Sequence, residues 1–558
     1  MQREHRRGFQ WDPRLPAALV FIVVALCGLP AVWNSHWMWI DDQMVVGSQL
    51  WPPDSILNQK WHAQGREFIA HGLYFKLLSL IFPLQPFWYY LTNYVTHIAV
   101  VGLAGWVVWR ATKSGAATAL CTLTAGLAST GPEVFLTLLK QELHMTLWLL
   151  VALLLVQRLL RPDCSWRAGT LITLAIATFL AGTLGKENFV ILTVGLVAAL
   201  TCVALTATRL RLTGRPLAAV VSTSIGTTAV FVERHLLGTS SVADGGYTGS
   251  LLVLQPTLAA SLERETTYRI QTGDVLVLAV VAVIACAGCL AAAIYRKRDL
   301  TAAQIIAITC AVAAAAQVVF NVVFLSFVQI YYLYPAAILG TVSLACLWPR
   351  SGHAGAGIGA ACWEWFGRIG LTAVLAGTTI LTLPTFAMRV YAQNVIPTME
   401  WHLMKAIAAV PPHSLVLLGF PRDAEMIENA GVLLQHELGR SDISIESAFD
   451  PANADRMSAA YAERRSVFLA FVYEPGENWT VGVRGAEQKS RAEILALAAS
   501  HGIDHICPDL QQVLGPPSIA VWRFFPSLHP ILKVQFGYAW ELDRVPPPSA
   551  GIAGCESR

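Results

Sequence analysis

A succession of apolar runs, each about the length that crosses hydrocarbon and closed on alternate sides by basic residues, sets the limits on what this chain can fold into. Arg3, Arg6, Arg7 and Arg14 precede the run from Leu15 to Trp33. Arg110 and Lys113 follow Phe87 to Trp109, and Arg158, Arg161 and Arg167 close Leu143 to Leu160. Arg209, Arg211 and Arg215 follow Ala168 to Leu205, which is apolar except at Gly185-Lys186-Glu187-Asn188 and so reads as two helices and a tight turn. Arg296, Lys297 and Arg298 close Asp274 to Ile294, and Arg350 closes a hairpin of Ala302 to Phe324 and Ile330 to Leu347. With Ala116 to Ser129, Leu217 to Val232 and Ile369 to Met388, this makes about eleven spans.

At 55% hydrophobic and 13% charged over 558 residues, the chain is too apolar for a water-soluble globule. The fold expected is a polytopic α-helical membrane protein. Basic residues ahead of the first span place the N-terminus inside, and the lack of a small-residue cleavage site after it argues for a retained anchor. A net charge of +3, with its basic residues segregated by loop, implies no nucleic-acid partner. Most of the 11 cysteines fall in or beside apolar runs, and no disulfide framework or zinc site is expected.

Between Gln43 and Gln85 the short run Leu73 to Phe82, broken by Pro83 and Pro86, reads as interfacial helix on the outer surface. Composition changes after Tyr391. Ser414 to Leu418, Ser466 to Val472 and Ile519 to Phe524 read as buried strands, separated by amphipathic stretches at Ala424 to Leu438 and Glu487 to His501. The expected division is therefore a membrane domain over 1–390 and a soluble, extracytoplasmic α/β domain over 391–558, in a multi-pass protein of the cell membrane. Neither part carries a glycine-rich nucleotide fingerprint.

Trp37-Met38-Trp39-Ile40-Asp41-Asp42 puts two carboxylates at the membrane lip, between tryptophans suited to that boundary. On the same side the topology collects Arg66, Glu67, His71, Glu133, Lys140, Glu142, His144, Lys186, Glu187, Arg234 and His235. Charges of both signs around one mouth point to a water-filled cavity. Tyr90, Asn93 and His97 recur on one face of a single span. In Lys186-Glu187 the lysine is placed to hold an anion that the glutamate orients. A transporter or lipid flippase is the alternative use of such a cavity.

The acidic pair after the first span, the interfacial stretch, Pro86-x3-Tyr90-x2-Asn93-x3-His97, Pro132-Glu133, Lys186-Glu187 and Tyr331-Tyr332-Leu333-Tyr334-Pro335 together resemble the GT-C membrane glycosyltransferases. In order and spacing they are similar to the protein O-mannosyltransferases and the bacterial lipid A aminoarabinose transferases, over most of residues 11–390. The resemblance implies transfer of a sugar from a polyprenyl-phosphate donor to a hydroxyl acceptor, with inversion. It implies Asp41 as the base, and Glu133 or Glu142 as the acid of the second outer loop. It also brings Tyr331 and Tyr332 toward the substrate, whereas Gln329 stands where the family often has arginine. Lys186, with Arg66 or Arg234, is expected to face the donor phosphate. Asp41, Asp42 and Glu133 offer hard oxygen ligands to a divalent cation, magnesium or manganese, or act without one.

Overall fold

A computed structural model of the chain describes residues 12, 14–38, 42, 45–46, 69–138, 140–160, 168–185, 188–206, 215–237, 266–296, 300–324, 330–349, 358–419, 424–473, 491–514 and 538–547. The membrane part begins with α1 (Leu15–Cys27) and α2 (Leu29–Trp33), followed by α3 (Ile69–Ile81), α4 (Pro86–Thr112), α5 (Gly115–Gly126), α6 (Gly131–Phe135) and α7 (Glu142–Leu159). It continues through α8 (Ala168–Thr183), α9 (Asn188–Thr206), α10 (Arg215–Leu237), α11 (Thr266–Tyr295) and α12 (Ala302–Phe324), then a 3-10 turn (Ile330–Leu333) and α13 (Tyr334–Cys346). The last helix, α14 (Ile358–Ala408), leaves the membrane part and enters the α/β part.

Among the described residues six helices are long and apolar enough to cross a membrane: Leu15–Trp33, Pro86–Thr112, Glu142–Leu159, Asp274–Tyr295, Ala302–Asn321 and Glu364–Ala387. The other five expected spans lie where helices form, with shorter apolar lengths. The outward faces explain the composition. Leu19, Ile22, Val23 and Leu26 on α1, Ile172 and Ile176 on α8, and Ile284 on α11 all point away from the protein. Thr124, Thr178, Thr193, Gln317 and Asn321 are buried. A surface of aliphatic side chains over a core that holds the polar ones suits a hydrocarbon solvent.

Local chemistry sets several boundaries. Proline at the first turn starts α4, where its missing N–H leaves nothing unsatisfied. That helix ends at Lys113 in the left-handed region (φ 59°), and Ser114 then caps α5 by accepting from the Ala117 N–H. Glu142 opens α7 and Arg158 closes it, each matched to the end of the helix dipole it faces. The break between α1 and α2 falls at Gly28, where a Cβ would come within 2.6 Å of the Tyr94 ring. The Tyr94 hydroxyl accepts from the Gly28 N–H at 3.1 Å and reaches the Ala25 carbonyl at 3.0 Å, so one side chain fills the gap and satisfies the freed backbone.

Beyond α14 the order is β1 (Leu415–Leu418), α15 (Ala424–Glu437), β2 (Ser444–Ser447), α16 (Asn453–Ala462), β3 (Val467–Tyr473), α17 (Arg491–Ser500), β4 (Cys507–Leu514) and β5 (Tyr538–Val545). The strands form one sheet in the order β2-β1-β3-β5-β4. β1 pairs in parallel with β2 and β3, whereas β5 is antiparallel to both β3 and β4. Two expected strands and both expected helices are present, and the expected strand at 519–524 lies outside the described residues. Cys507 is held in a disulfide, a single bonded cysteine among the described residues where no disulfide framework is expected.

Position 391, where composition changes, lies inside α14, which runs on past Pro384 and Pro397 to Ala408. The two parts also share packing. Phe386, Met399, Leu403 and Ile407 of α14 lie in one core cluster with Trp37, Phe75 and Tyr89 at one mouth of the bundle and with Leu418, Phe468 and Trp540 of the sheet. One face of the α/β unit thus rests on the mouth of the helical bundle.

Candidate functional site

The lip loop after α2 is tied down from two sides. The Trp37 indole N–H donates to Glu437 Oε1 at 3.1 Å, and His36 stacks on Trp401 with ring centroids 5.9 Å apart. Burial raises the Glu437 pKa, and the bond from Trp37 offsets part of that rise. Both contacts reach across from the bundle to α14 and α15.

Of the acidic pair, Asp42 is fully buried. Its Oδ2 accepts from the Met38 backbone N–H at 2.9 Å and from the Tyr90 hydroxyl at 2.5 Å. One carboxylate oxygen thereby closes the loop on itself and pins it to α4. Asp41 lies outside the described residues.

From Tyr90 a chain of contacts runs round the mouth. His97, two turns along α4, meets the Tyr334 hydroxyl through Nδ1 at 2.9 Å and packs on Phe135 at 5.0 Å. Between them Asn93 donates from Nδ2 to the Thr137 carbonyl at 3.2 Å. Tyr331 and Tyr332 sit edge to face at 4.6 Å, and the Lys140 ammonium lies 4.3 Å over the Tyr331 ring. Gln317 donates to the Tyr332 carbonyl at 2.9 Å. Glu133, Glu142 and His144 are all buried, and His144 meets the Tyr74 ring edge to face at 4.5 Å. Carboxylates, imidazoles, a lysine and phenols therefore gather at one end of α4, α6, α7 and α13.

Among the expected residues, Asp42, His97, Glu133, Glu142, Tyr331 and Tyr332 are described, and all are buried. Arg66, Lys186 and Glu187 lie outside the described residues, and Arg234 falls within α10 without a described side chain. No three His, Cys, Asp or Glu side chains among the described residues converge as a metal ion would need.

Four participants escape a reading of the sequence: Tyr74, Gln317, Asp274 and Arg389. Ser129 donates to Asp274 through Oγ at 2.8 Å and through its N–H at 3.2 Å, while its carbonyl accepts from Arg389 Nη1 at 3.0 Å. Asp274 and Arg389 are each less than a tenth exposed. An acid and a base from α11 and α14 thus grip one residue from opposite sides. The gripped Ser129 lies four residues before Glu133 and two before Gly131, where a Cβ would meet the His97 ring at 3.4 Å. The signal available in sequence is an acid that opens one apolar span and an arginine that ends another.

The α/β unit carries a separate polar cluster. Arg491 Nε reaches both oxygens of Glu541 at 2.9 Å, and Tyr473 donates to Glu541 at 2.8 Å. Asp543, two residues on along the same face of β5, is 1% exposed. Its carboxyl is pushed up to about 7, first by burial and then by the Glu541 charge.

Among solved structures the chain is similar to ArnT from Cupriavidus metallidurans bound to undecaprenyl phosphate. That match has 14% identity and a TM-score of 0.42 over 84% of this chain and 99% of that one. The apo state of the same protein matches with 13% identity and a TM-score of 0.45, over 84% of this chain and 97% of that one. At such scores neither likeness assigns a fold or a function. No protein-family model and no curated protein matches the chain.

Proposed function

We propose that this chain is an integral-membrane glycosyltransferase of the GT-C type, moving a sugar from a polyprenyl-phosphate donor to a hydroxyl acceptor on the extracytoplasmic face, with inversion. The observation that carries the reading is the loop pinned by Asp42 to Tyr90, at a mouth that also gathers Glu133, Glu142, His144 and Lys140. The transfer needs a carboxylate to take the acceptor's proton and cations to stabilise the phosphate as it leaves. A lipid-linked donor gives a reason for the site to lie in a membrane protein.

In this reading Asp41 is the general base and Asp42 the anchor that orients it. Asp41 accepts the hydroxyl proton, the acceptor oxygen forms the new bond to the anomeric carbon, and the bond from that carbon to phosphate breaks. The electron pair leaves with the phosphate, whose charge is met by Lys186 with Arg66 or Arg234. Lys140, held over Tyr331, is a further cation at the same mouth. Glu133 or Glu142, with Glu187 and His97, shapes the polar wall, and Tyr331 and Tyr332 line the approach. A divalent cation on Asp41, Asp42 and Glu133 stays a proposal, and chelation tests it. The disulfide at Cys507 supports placing the α/β unit in an oxidising compartment, outside the cytoplasm.

The deciding experiment incubates the purified full chain with a polyprenyl-phosphate sugar and a hydroxyl acceptor. Free polyprenyl phosphate should appear together with the glycosylated acceptor. Binding of the donor without release of polyprenyl phosphate overturns the enzyme reading and favours transport.

A further inference from the structure

At the other end of α4 lies a groove that the transfer reaction does not use. Nineteen positions separate Tyr90 from Trp109, about 28 Å of helix, which is close to the thickness of the hydrocarbon. The groove therefore opens on the membrane face opposite the candidate site. It has a volume of about 280 Å³ and lies between α1, α4 and α5.

Its shape follows from where the helices touch. Deep in the bundle α1 closes on its neighbours, since a Cβ on Gly126 would collide with Val24 and one on Gly102 would meet Phe21 at 3.2 Å. Toward Arg14 the helices part, and the short side chains of Ala17 and Ala18 leave the space unfilled, while Gly105 lets Thr122 close the floor. Trp106, half exposed, forms one wall. The seven helical steps from Gly102 to Trp109 give a trough about 10 Å long.

The mouth is cationic. The Arg14 guanidinium lies 5.4 Å from the Trp109 ring centroid and the Lys113 ammonium 5.8 Å from the same ring. Both cations belong to exposed residues, and Arg110 ends the same helix. A tryptophan at this depth marks the headgroup level, so the two charges sit where lipid phosphates lie. An apolar trough that faces lipid is filled by an acyl chain, and cations at its mouth select the headgroup on that chain.

We infer that this groove is a binding site for one anionic phospholipid, with an acyl chain along Ala17, Ala18 and Gly105 and its phosphate held between Arg14 and Lys113. Charge complementarity fixes the class of the occupant. A basic residue near the surface favours an anionic lipid by about fivefold, so two give a preference of about thirtyfold over a zwitterionic lipid of the same chains. The site stands whether or not the transfer reaction proposed above is right.

Native mass spectrometry of the full-length chain, released from nanodiscs that mix phosphatidylglycerol and phosphatidylcholine of identical acyl chains, tests the inference. One phosphatidylglycerol should stay bound in preference, by about thirtyfold. The double substitution Arg14→Gln, Lys113→Gln, at exposed positions and with thermal unfolding checked against the wild type, should bring the preference near onefold. Ala18→Phe, which fills the trough from an exposed position, should lower retention of both lipids. Equal retention of the two lipids by the wild type overturns the inference, as does a preference that survives the charge substitutions. If added polyprenyl phosphate displaces the phosphatidylglycerol at equimolar amounts, the occupant is the wrong one and the groove belongs to the donor lipid.

Discussion

Asp42→Asn separates an anchoring carboxylate from a catalytic one, because the amide keeps an oxygen in the same place. That oxygen still accepts from the Met38 N–H and the Tyr90 hydroxyl, now at 2.9 and 2.5 Å, but without charge assistance. A bond to an ionised group contributes about 1.5–3 kcal/mol and a neutral one about 0.5–1.5, so converting both should cost about 2–3 kcal/mol of stability. Tyr90→Phe deletes one of them outright and should cost about 1.5–3 kcal/mol. Because the two substitutions act on the same bond, the double variant should lose about 1 kcal/mol less than the sum. Rate behaves differently. An anchor lost in part should lower turnover per folded molecule by about tenfold or less, whereas loss of a general base lowers it by about two to four decades. Thermal unfolding in detergent and release of polyprenyl phosphate, measured on the same preparations, read the two quantities. Turnover reduced a hundredfold in Asp42→Asn with stability unchanged would refute the anchor and make Asp42 the base.

The complementary substitution, Asp41→Asn, should leave donor affinity and stability near wild type and lower turnover by about two to four decades; full activity would remove Asp41 from the reaction. Arg389→Met leaves the buried Asp274 carboxylate without its counter-charge across Ser129 and should cost about 3–5 kcal/mol, while Arg389→Met combined with Asp274→Leu should recover most of it, as read by thermal unfolding. In the α/β unit the folded state holds a proton on Asp543 up to about pH 7, whereas the unfolded chain releases it near 3.8, as an ordinary aspartate does. Stability of this unit should therefore fall as pH rises from about 4 to 7, by at most about 1.4 kcal/mol per pH unit, and level off above. Asp543→Asn should flatten that slope in thermal unfolding followed from pH 4 to 8, and an unchanged slope would place its origin elsewhere.

What the sequence determined by itself is what depends on neighbours along the chain. Apolar length and basic closure locate Ala302–Phe324 to the residue and most of the other helices to within a turn or so, whereas α11 begins eight residues ahead of Asp274 and α14 overruns Ile369 to Met388 at both ends; hydrocarbon solvates each span separately, so it sets where a helix must be but not where it stops. The same local logic finds β1 and β3, whose residues are nearly all buried and apolar. It misses β5, where Glu541 and Asp543 alternate with Trp540 and Leu542, because the acids of that strand are buried only once Arg491 and Tyr473 arrive from elsewhere. The sequence reads as a gathering of charges at one mouth, and the structure buries His97, Glu133, Glu142, Tyr331 and Tyr332. Which of two adjacent aspartates is the anchor was not legible, since it rests on Tyr90, 48 residues away. The grip of Asp274 and Arg389 on Ser129 spans 145 and 260 residues, and the tie of Trp37 to Glu437 spans 400. Nor does a composition change at 391 reveal that α14 runs on to Ala408, because helix continuity there is set by the packing of Met399, Leu403 and Ile407 between mouth and sheet. Burial and span length are properties of a segment, whereas the partner of a buried polar group is a property of the folded chain.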